Sequence, residues 1–185
     1  MAKEKETLEN AFTLIIEELF KSKVNTILPA IVTAFDGKNR ITAQPVITRK
    51  YKGHDPKPLP PIKDVPVLYP GAGEYWLTFP VEVDSWVMLL CSQRSIEAWK
   101  DSDGSVGDAS NARKFSMSDA VAIPGLLPFS SAFDVGSGIQ LRNKSGSVKI
   151  TIEDDTIEIE NESGAISLSD NGKVDINGHL TVEPK

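Results

Sequence analysis

The sequence predicts an all-β protein that begins with an amphipathic helix, continues as a small β-barrel and ends as a needle of β-helix or β-prism type built by several copies. Three observations predict this plan: apolar residues at helical spacing near the N-terminus, period-two segments through the middle, and very short period-two segments after residue 139. The predicted divisions are residues 1–25 for the helix, 26–127 for the barrel, 128–138 for a linker and 139–185 for the needle.

The N-terminal segment from Thr7 to Lys23 has the spacing of an amphipathic helix. Six apolar residues fall on one helical stripe: Leu8, Phe12, Ile15, Ile16, Leu19 and Phe20. Thr7 is the predicted N-cap, and the lysines at the other end suit the negative end of the helix dipole. The stripe must be covered, either by the chain's own domain or a sister subunit, or by a neighbouring protein of an assembly.

The middle of the chain consists of short strand patterns separated by turn residues. The predicted strands are Ile27 to Phe35, Arg40 to Lys50, Val65 to Tyr69, Glu74 to Val81 and Asp84 to Ser92. A Pro-rich extended segment runs from His54 to Pro66, a short helix is predicted over Ile96 to Lys100, and Asp101 to Ser110 is predicted as an exposed loop. About five strands with one small helix indicate a Greek-key barrel of the oligonucleotide/oligosaccharide-binding (OB) type.

The last part of the chain, from Ile139, alternates apolar and polar residues between corners such as Asn171-Gly172 and Asn177-Gly178. The inward residues of these segments are predicted to be Ile139, Leu141, Val148, Ile150, Ile152, Ile157, Ile159, Ile166, Leu168, Val174, Ile176, Leu180 and Val182. One copy has too few apolar side chains to offset the cost of ordering its backbone. Partner copies must therefore cover this face, and a symmetric homo-oligomer is the simplest closed solution. The alternative is a hairpin meander on the preceding domain.

Composition excludes several classes of function. The 185 residues are 40% hydrophobic and 25% charged, with a formal net charge of −6, which argues against a general nucleic-acid binder. Residues 141–185 hold five basic and nine acidic side chains and so carry −4 of that charge. No apolar run approaches the length of a membrane span, and the charged N-terminus does not resemble a signal peptide, which predicts synthesis in a cytoplasm. Cys91, in an apolar run, is predicted to be a buried hydrophobe.

The side chains that could carry chemistry do not form a convincing constellation. The acidic residues of the tail, Glu153, Asp154, Asp155, Glu158 and Glu160, could hold a divalent ion or act on glycosides, but their alternation predicts a solvated face. Trp76, Trp86 and Trp99 could stack on bases, although core packing is the favoured interpretation. His54 and His179 have no partner in the sequence. We therefore predict no catalytic residue, no cofactor and no metal site.

Two blocks of sequence carry a resemblance to a known family. They are VDSWVMLLCSQRSIEAWKDSDG (Val83 to Gly104) and RKFSMSDAVAIPGLLP (Arg113 to Pro128), and they follow AFDGKNRITAQPVI (Ala34 to Ile47). Together with the repeating tail, these blocks resemble the contractile-tail phage baseplate spike proteins, in particular the membrane-puncturing central spike. The resemblance implies a non-enzymatic homotrimer in the virion baseplate, made in the host cytoplasm, whose barrel and N-terminal helix contact hub or tail tube proteins and whose needle pierces the host outer membrane.

The sequence departs from this family pattern in two places. The linker is too short for the hydrolase domain that some relatives insert there. His179 stands alone where some relatives carry His-x-His at a metal-binding apex, so a hydrophobic plug or a separate tip protein is expected instead. Two alternative functions stay open: a carbohydrate- or nucleic-acid-binding OB module with a trimerisation stalk, or the spike of a related contractile secretion machine.

Overall fold

The computed structural model describes residues 8–49, 55–109 and 111–178. The chain divides into two compact units, Met1–Leu127 and Pro128–Lys185. Each unit is described by itself below. The predicted N-cap Thr7, as well as His54, His179, Leu180 and Val182, lie outside the described residues.

The first unit begins with helix α1, Leu8–Lys23, as predicted from the spacing of its apolar residues. The stripe is largely exposed: Leu8, Phe12 and Ile15 and the three apolar residues that follow on the stripe are each at least half exposed. No helix in the described part of the chain is long and apolar enough to cross a membrane. The stripe is therefore available to another protein chain.

Seven strands follow the helix in the described part of the first unit. Their bounds are β1 Ile27–Phe35, β2 Arg40–Pro45, β3 Ile62–Pro66, β4 Gly71–Ala72, β5 Tyr75–Trp76, β6 Trp86–Cys91 and β7 Ala120–Pro124. Five of them form one antiparallel sheet in the order β3-β2-β1-β6-β7, while β4 and β5 form a separate two-stranded hairpin. A short helix α2, Glu97–Lys100, and a 3₁₀ turn, Met117–Asp119, lie between β6 and β7.

The five-stranded sheet forms a half-barrel around a small aliphatic core. Register irregularities in the β1–β2 and β2–β3 pairs accompany its curvature. The two edges meet just beyond β3, where Val67 forms a parallel bridge with Ala122 of β7 and Leu68 N donates to Ala122 O at 2.8 Å. The largest fully buried aliphatic side chains are Ile41, Leu89, Val32, Val65 and Val87. The prediction of a mostly β, curved architecture is thus confirmed for this region.

Several predicted boundaries in the first unit were wrong. Strand β2 ends at Pro45, not Lys50, since proline has no N–H to donate to the ladder. Of the predicted strand from Glu74 to Val81, only Tyr75–Trp76 forms a strand. Most of the large apolar side chains of this segment are exposed, because no neighbouring sheet of the described residues packs against them. Strand β7 is an additional strand, outside the strands predicted from the sequence.

The described part of the second unit, up to residue 178, is a five-stranded antiparallel meander. Its strands are β8 Ile139–Arg142, β9 Lys149–Ile152, β10 Thr156–Asn161, β11 Gly164–Ser169 and β12 Val174–Asn177, and each pairs with the next along the chain. A 3₁₀ turn, Phe129–Ser131, lies in the segment predicted as a linker. The predicted short strands are confirmed as far as Ile176, and the last predicted pair, Leu180 and Val182, lies outside the described residues. Within one chain they form a meander, so the β-helix or β-prism stays a proposal about several copies.

Candidate functional site

The meander of the second unit places its aliphatic side chains in two continuous rows on one face. One row runs across the sheet through Ile139, Ile152, Ile157, Leu168 and Val174, and the other through Leu141, Ile150, Ile159, Ile166 and Ile176. Each of these ten side chains is between 36% and 73% exposed. The second unit thus has an uncovered aliphatic face, defined by these two rows.

The opposite face of the same sheet is polar and less exposed. Its central row contains Thr151, Glu158 and Ser167 in register. In the next row, Lys149 Nζ lies 2.6 Å from Glu160 Oε1, and both side chains are only 28% exposed. The exposure is therefore the reverse of that in an ordinary half-buried sheet, where the apolar face is covered.

Tight polar turns hold the register of the meander. The Asn161 carboxamide oxygen accepts from the N–H groups of Ser163 and Gly164 at 2.8 and 3.1 Å. At the next corner Asn171 accepts from Lys173 N at 2.9 Å, and Gly172 has a φ of 75°, which favours glycine. A slip of one residue would move every aliphatic side chain to the polar face, so these turns maintain the aliphatic face.

In the first unit, the two sequence blocks singled out above meet at one buried carboxylate. Asp119 is 1% exposed and accepts hydrogen bonds from Ser95 Oγ and Ile96 N, both at 3.1 Å, and from Arg113 Nε at 3.3 Å. Arg113 also pairs with Glu97 Oε2 at 2.8 Å. The Asp119 carboxylate therefore joins the segment after β6 to the segment before β7. This contact requires particular polar side chains in both blocks.

Nearly all of the five-stranded sheet and of both blocks falls within a region that matches a known family. Residues 28–125, more than half of the chain, match the family described as the phage protein Gp138 N-terminal domain. The chain belongs to the Gp138 family. Comparison of the chain with curated proteins gives no significant match. The family identifies a phage protein and supports a structural role in the virion.

The Asp119 cluster of this Gp138 domain is electrostatically well satisfied. Burial acts to raise the pKa of Asp119, but the hydrogen bonds from Arg113, Ile96 and Ser95 outweigh it and hold that pKa below its ordinary value. Sequence reasoning missed this cluster because its members are distant along the chain. Burial, followed by the negative charge of Asp119, raises the pKa of the half-buried Cys91 thiol, which disfavours the reactive thiolate.

The tryptophans of the Gp138 domain are not placed as predicted. Trp86, in β6, is half-buried, but Trp76 and Trp99 are 61% and 52% exposed, so the prediction that they pack in the core is wrong. The apolar neighbours of these two residues suggested burial. Trp76 instead lies on the small β4–β5 hairpin and Trp99 on α2, both outside the five-stranded sheet.

The acidic residues of the tail are dispersed. Glu158 and Glu160 lie on the polar face, as their alternation predicted, whereas Glu153 accepts a hydrogen bond from Ser137 Oγ. In the described ranges, no group of three or more His, Cys, Asp or Glu side chains is arranged to hold a metal ion. The aliphatic face is therefore the feature of the second unit with the clearest functional meaning.

Proposed function

We propose that this Gp138-family chain is the cell-puncturing spike at the distal end of a phage contractile tail. Three copies join their second units into one rigid needle that pierces the host outer membrane mechanically when the tail contracts. The observation that carries this proposal is the uncovered aliphatic face, which a needle would enclose along its axis.

Covering the aliphatic face provides the energy for assembly. A fully buried Leu, Ile or Val side chain contributes about 1.5–3 kcal/mol, and the ten side chains of the two rows retain roughly half of their exposure. Full burial would thus contribute on the order of 10 kcal/mol per copy. A gain of that size favours a permanent oligomer over a transient contact.

The geometry of the face favours a closed prism. Each strand contributes only two aliphatic side chains, spaced by about 6–7 Å along the strand, so the face is a narrow ribbon. Three narrow ribbons can enclose a common axis and leave no apolar edge exposed. The opposite orientation is unfavourable because it would gather three copies of Glu158 and of Asp175 at the axis.

The polar exterior suits a body that is driven through an apolar layer without remaining there. With the aliphatic rows enclosed, the outer surface carries Glu158, Glu160 and Asp175, and the tail as a whole is acidic. Such a surface is repelled by anionic lipid headgroups and does not anchor in a membrane. The exposed stripe of α1 and the half-barrel are left to bind hub or tail tube proteins.

Purified full-length protein is expected to be a trimer with an elongated shape. Light scattering should give three times the 20.1 kDa chain mass at micromolar concentration, and negative-stain images should show a thin needle. A monomeric mass would contradict the proposal. A dimer would instead indicate that two aliphatic faces pack as a flat sandwich, which would also contradict it.

Puncture by this spike is proposed to be mechanical, without cell wall hydrolysis. The segment from Pro128 to residue 138 is too short for a hydrolase domain, and Glu158 and Glu160 lie on an open sheet face rather than in a cleft. We expect no lysis of chloroform-treated Gram-negative cells above that given by heat-denatured protein. Lysis above that control would show an enzymatic function.

A further inference from the structure

The first unit contains a cavity beside the half-barrel that the puncturing function does not use. It has a volume of about 910 Å³ and lies between the end of β3, the β4–β5 hairpin and α2. Its lining includes both exposed tryptophans, Trp76 and Trp99. Ligand sites in proteins typically have volumes of about 300–1,000 Å³. The cavity is therefore large enough for a small molecule or a few units of a polymer.

The indole ring of Trp76 is supported from the protein side. Gly71 pairs with Trp76 in the β4–β5 hairpin, and a Cβ atom at Gly71 would overlap the indole ring, so only glycine allows the ring to lie over the strand. Gly104 makes only ordinary van der Waals contact with the other indole, its ideal Cβ position lying 3.9 Å from Trp99 Nε1. The Trp76 ring thus lies on closely approaching backbone, and both tryptophans expose more than half of their surface. Flat, pre-positioned aromatic surface is costly to leave in water and suits a stacking ligand.

The charges of the cavity balance one another. Its lining contains four basic residues, Arg40, Lys63, Lys100 and Arg113, and four acidic residues, Asp64, Glu97, Asp101 and Asp103. The cavity therefore has no excess of positive charge with which to attract a polyanion.

Most of these cations are already bound within the protein. Arg40 pairs with Asp64 and Asp101 at 3.4 and 3.7 Å. Arg113 pairs with Glu97 and Asp119, and Lys100 Nζ donates to Ser118 O at 2.9 Å. Binding of single-stranded nucleic acid requires a row of basic side chains along its phosphates. The paired cations of this cavity therefore disfavour nucleic-acid binding.

We propose that this cavity binds a neutral oligosaccharide, with sugar rings stacked on Trp76 and Trp99. The C–H faces of a pyranose are apolar and match an indole ring, whereas its hydroxyl groups both donate and accept hydrogen bonds. The carboxylates of Asp64 and Asp101 can accept from such hydroxyls and the Arg40 guanidinium can donate to them. A neutral sugar can form hydrogen bonds with these groups without changing the net charge of the cavity. The site would add surface-glycan recognition to the puncturing role proposed above.

The proposal can be tested with full-length protein and defined probes. We would titrate maltohexaose, cellohexaose and N-acetylchitohexaose, with oligothymidylate as the polyanion, and follow binding by calorimetry. At least one neutral hexasaccharide should bind saturably and oligothymidylate should not. Trp76→Ala and Trp99→Ala should each weaken binding by about tenfold, the loss expected when one stacking surface is removed. Because both side chains are exposed, these variants should keep the wild-type circular dichroism spectrum and mass.

Tyr75→Ala is the matched control. Tyr75 is adjacent to Trp76 and 84% exposed, but it does not line the cavity. Its removal should change the affinity by less than about twofold. The proposal is overturned if none of the three hexasaccharides binds, if oligothymidylate binds instead, or if Tyr75→Ala weakens binding as much as the tryptophan variants do. Saturation-transfer NMR from indole protons of the unmodified protein to the sugar gives a second readout that requires no variant.

Discussion

Ile159→Asp is expected to prevent assembly of the needle. Ile159 lies in the middle strand of the aliphatic face, in register with Ile150 and Ile166. In a trimer the substitution places three carboxylates near one axis, and desolvating each of them costs several kcal/mol. The aliphatic rows cannot close around these charges. Light scattering of the purified variant should give a monomeric mass, whereas the unmodified protein is expected to give a trimer.

Glu158→Lys is the control at the adjacent position. Glu158 lies on the opposite, polar face between Thr151 and Ser167, so its side chain faces water in the proposed needle. A charge reversal there should alter the stability by no more than about 0.5 kcal/mol and leave the trimer intact. If the two variants lost assembly equally, the assignment of the inner and outer faces would be wrong.

Asp119→Ala is expected to destabilise the half-barrel by about 3 kcal/mol. The substitution leaves the N–H of Ile96, the hydroxyl of Ser95 and the guanidinium of Arg113 without their shared acceptor. Two of these groups are at least partly buried, so water replaces the lost hydrogen bonds poorly. The chain's tryptophans, Trp76, Trp86 and Trp99, all lie in the first unit, so tryptophan fluorescence during urea unfolding reports on this unit.

Asp103→Ala provides the comparison for that experiment. The Asp103 carboxylate accepts a hydrogen bond from the nearby Ser105 N–H at 2.9 Å, and it lies in an exposed loop. Its removal should cost less than about 0.5 kcal/mol. Equal losses for the two variants would show that the buried position of Asp119 has no special importance for stability.

The pH dependence of the same cluster follows from the lowered pKa of Asp119. A carboxyl whose pKa is lower in the folded state stabilises the fold above its unfolded pKa, and this contribution is lost as the pH falls through the folded value. The stabilisation from Asp119 should therefore be complete at neutral pH and decline below about pH 4. Asp119→Asn should remove this part of the acid sensitivity. An unchanged acid transition in that variant would show that other carboxylates control it.

The alternation of residues was sufficient to predict the strands of the second unit. Each of its five strands carries aliphatic residues at every second position, and turn residues such as Asn161 and Asn171 separate them, so local chemistry specifies both strand and corner. The helix α1 was predicted for the same reason, from a periodic stripe within one continuous segment. In both cases the information lies within a few neighbouring residues.

Tertiary structure alone decided the features that depend on distant parts of the chain. Asp119 joins Ser95 and Arg113 because the curved sheet brings β6 and β7 together, and no local pattern marks a buried carboxylate. Trp76 and Trp99 have apolar neighbours in sequence, yet they lie on a hairpin and a short helix outside the sheet and line a shared cavity. Periodicity determines which side chains share a face of an element, because that follows from backbone geometry. Only the tertiary fold decides whether that face is covered, because this depends on which other elements pack against it.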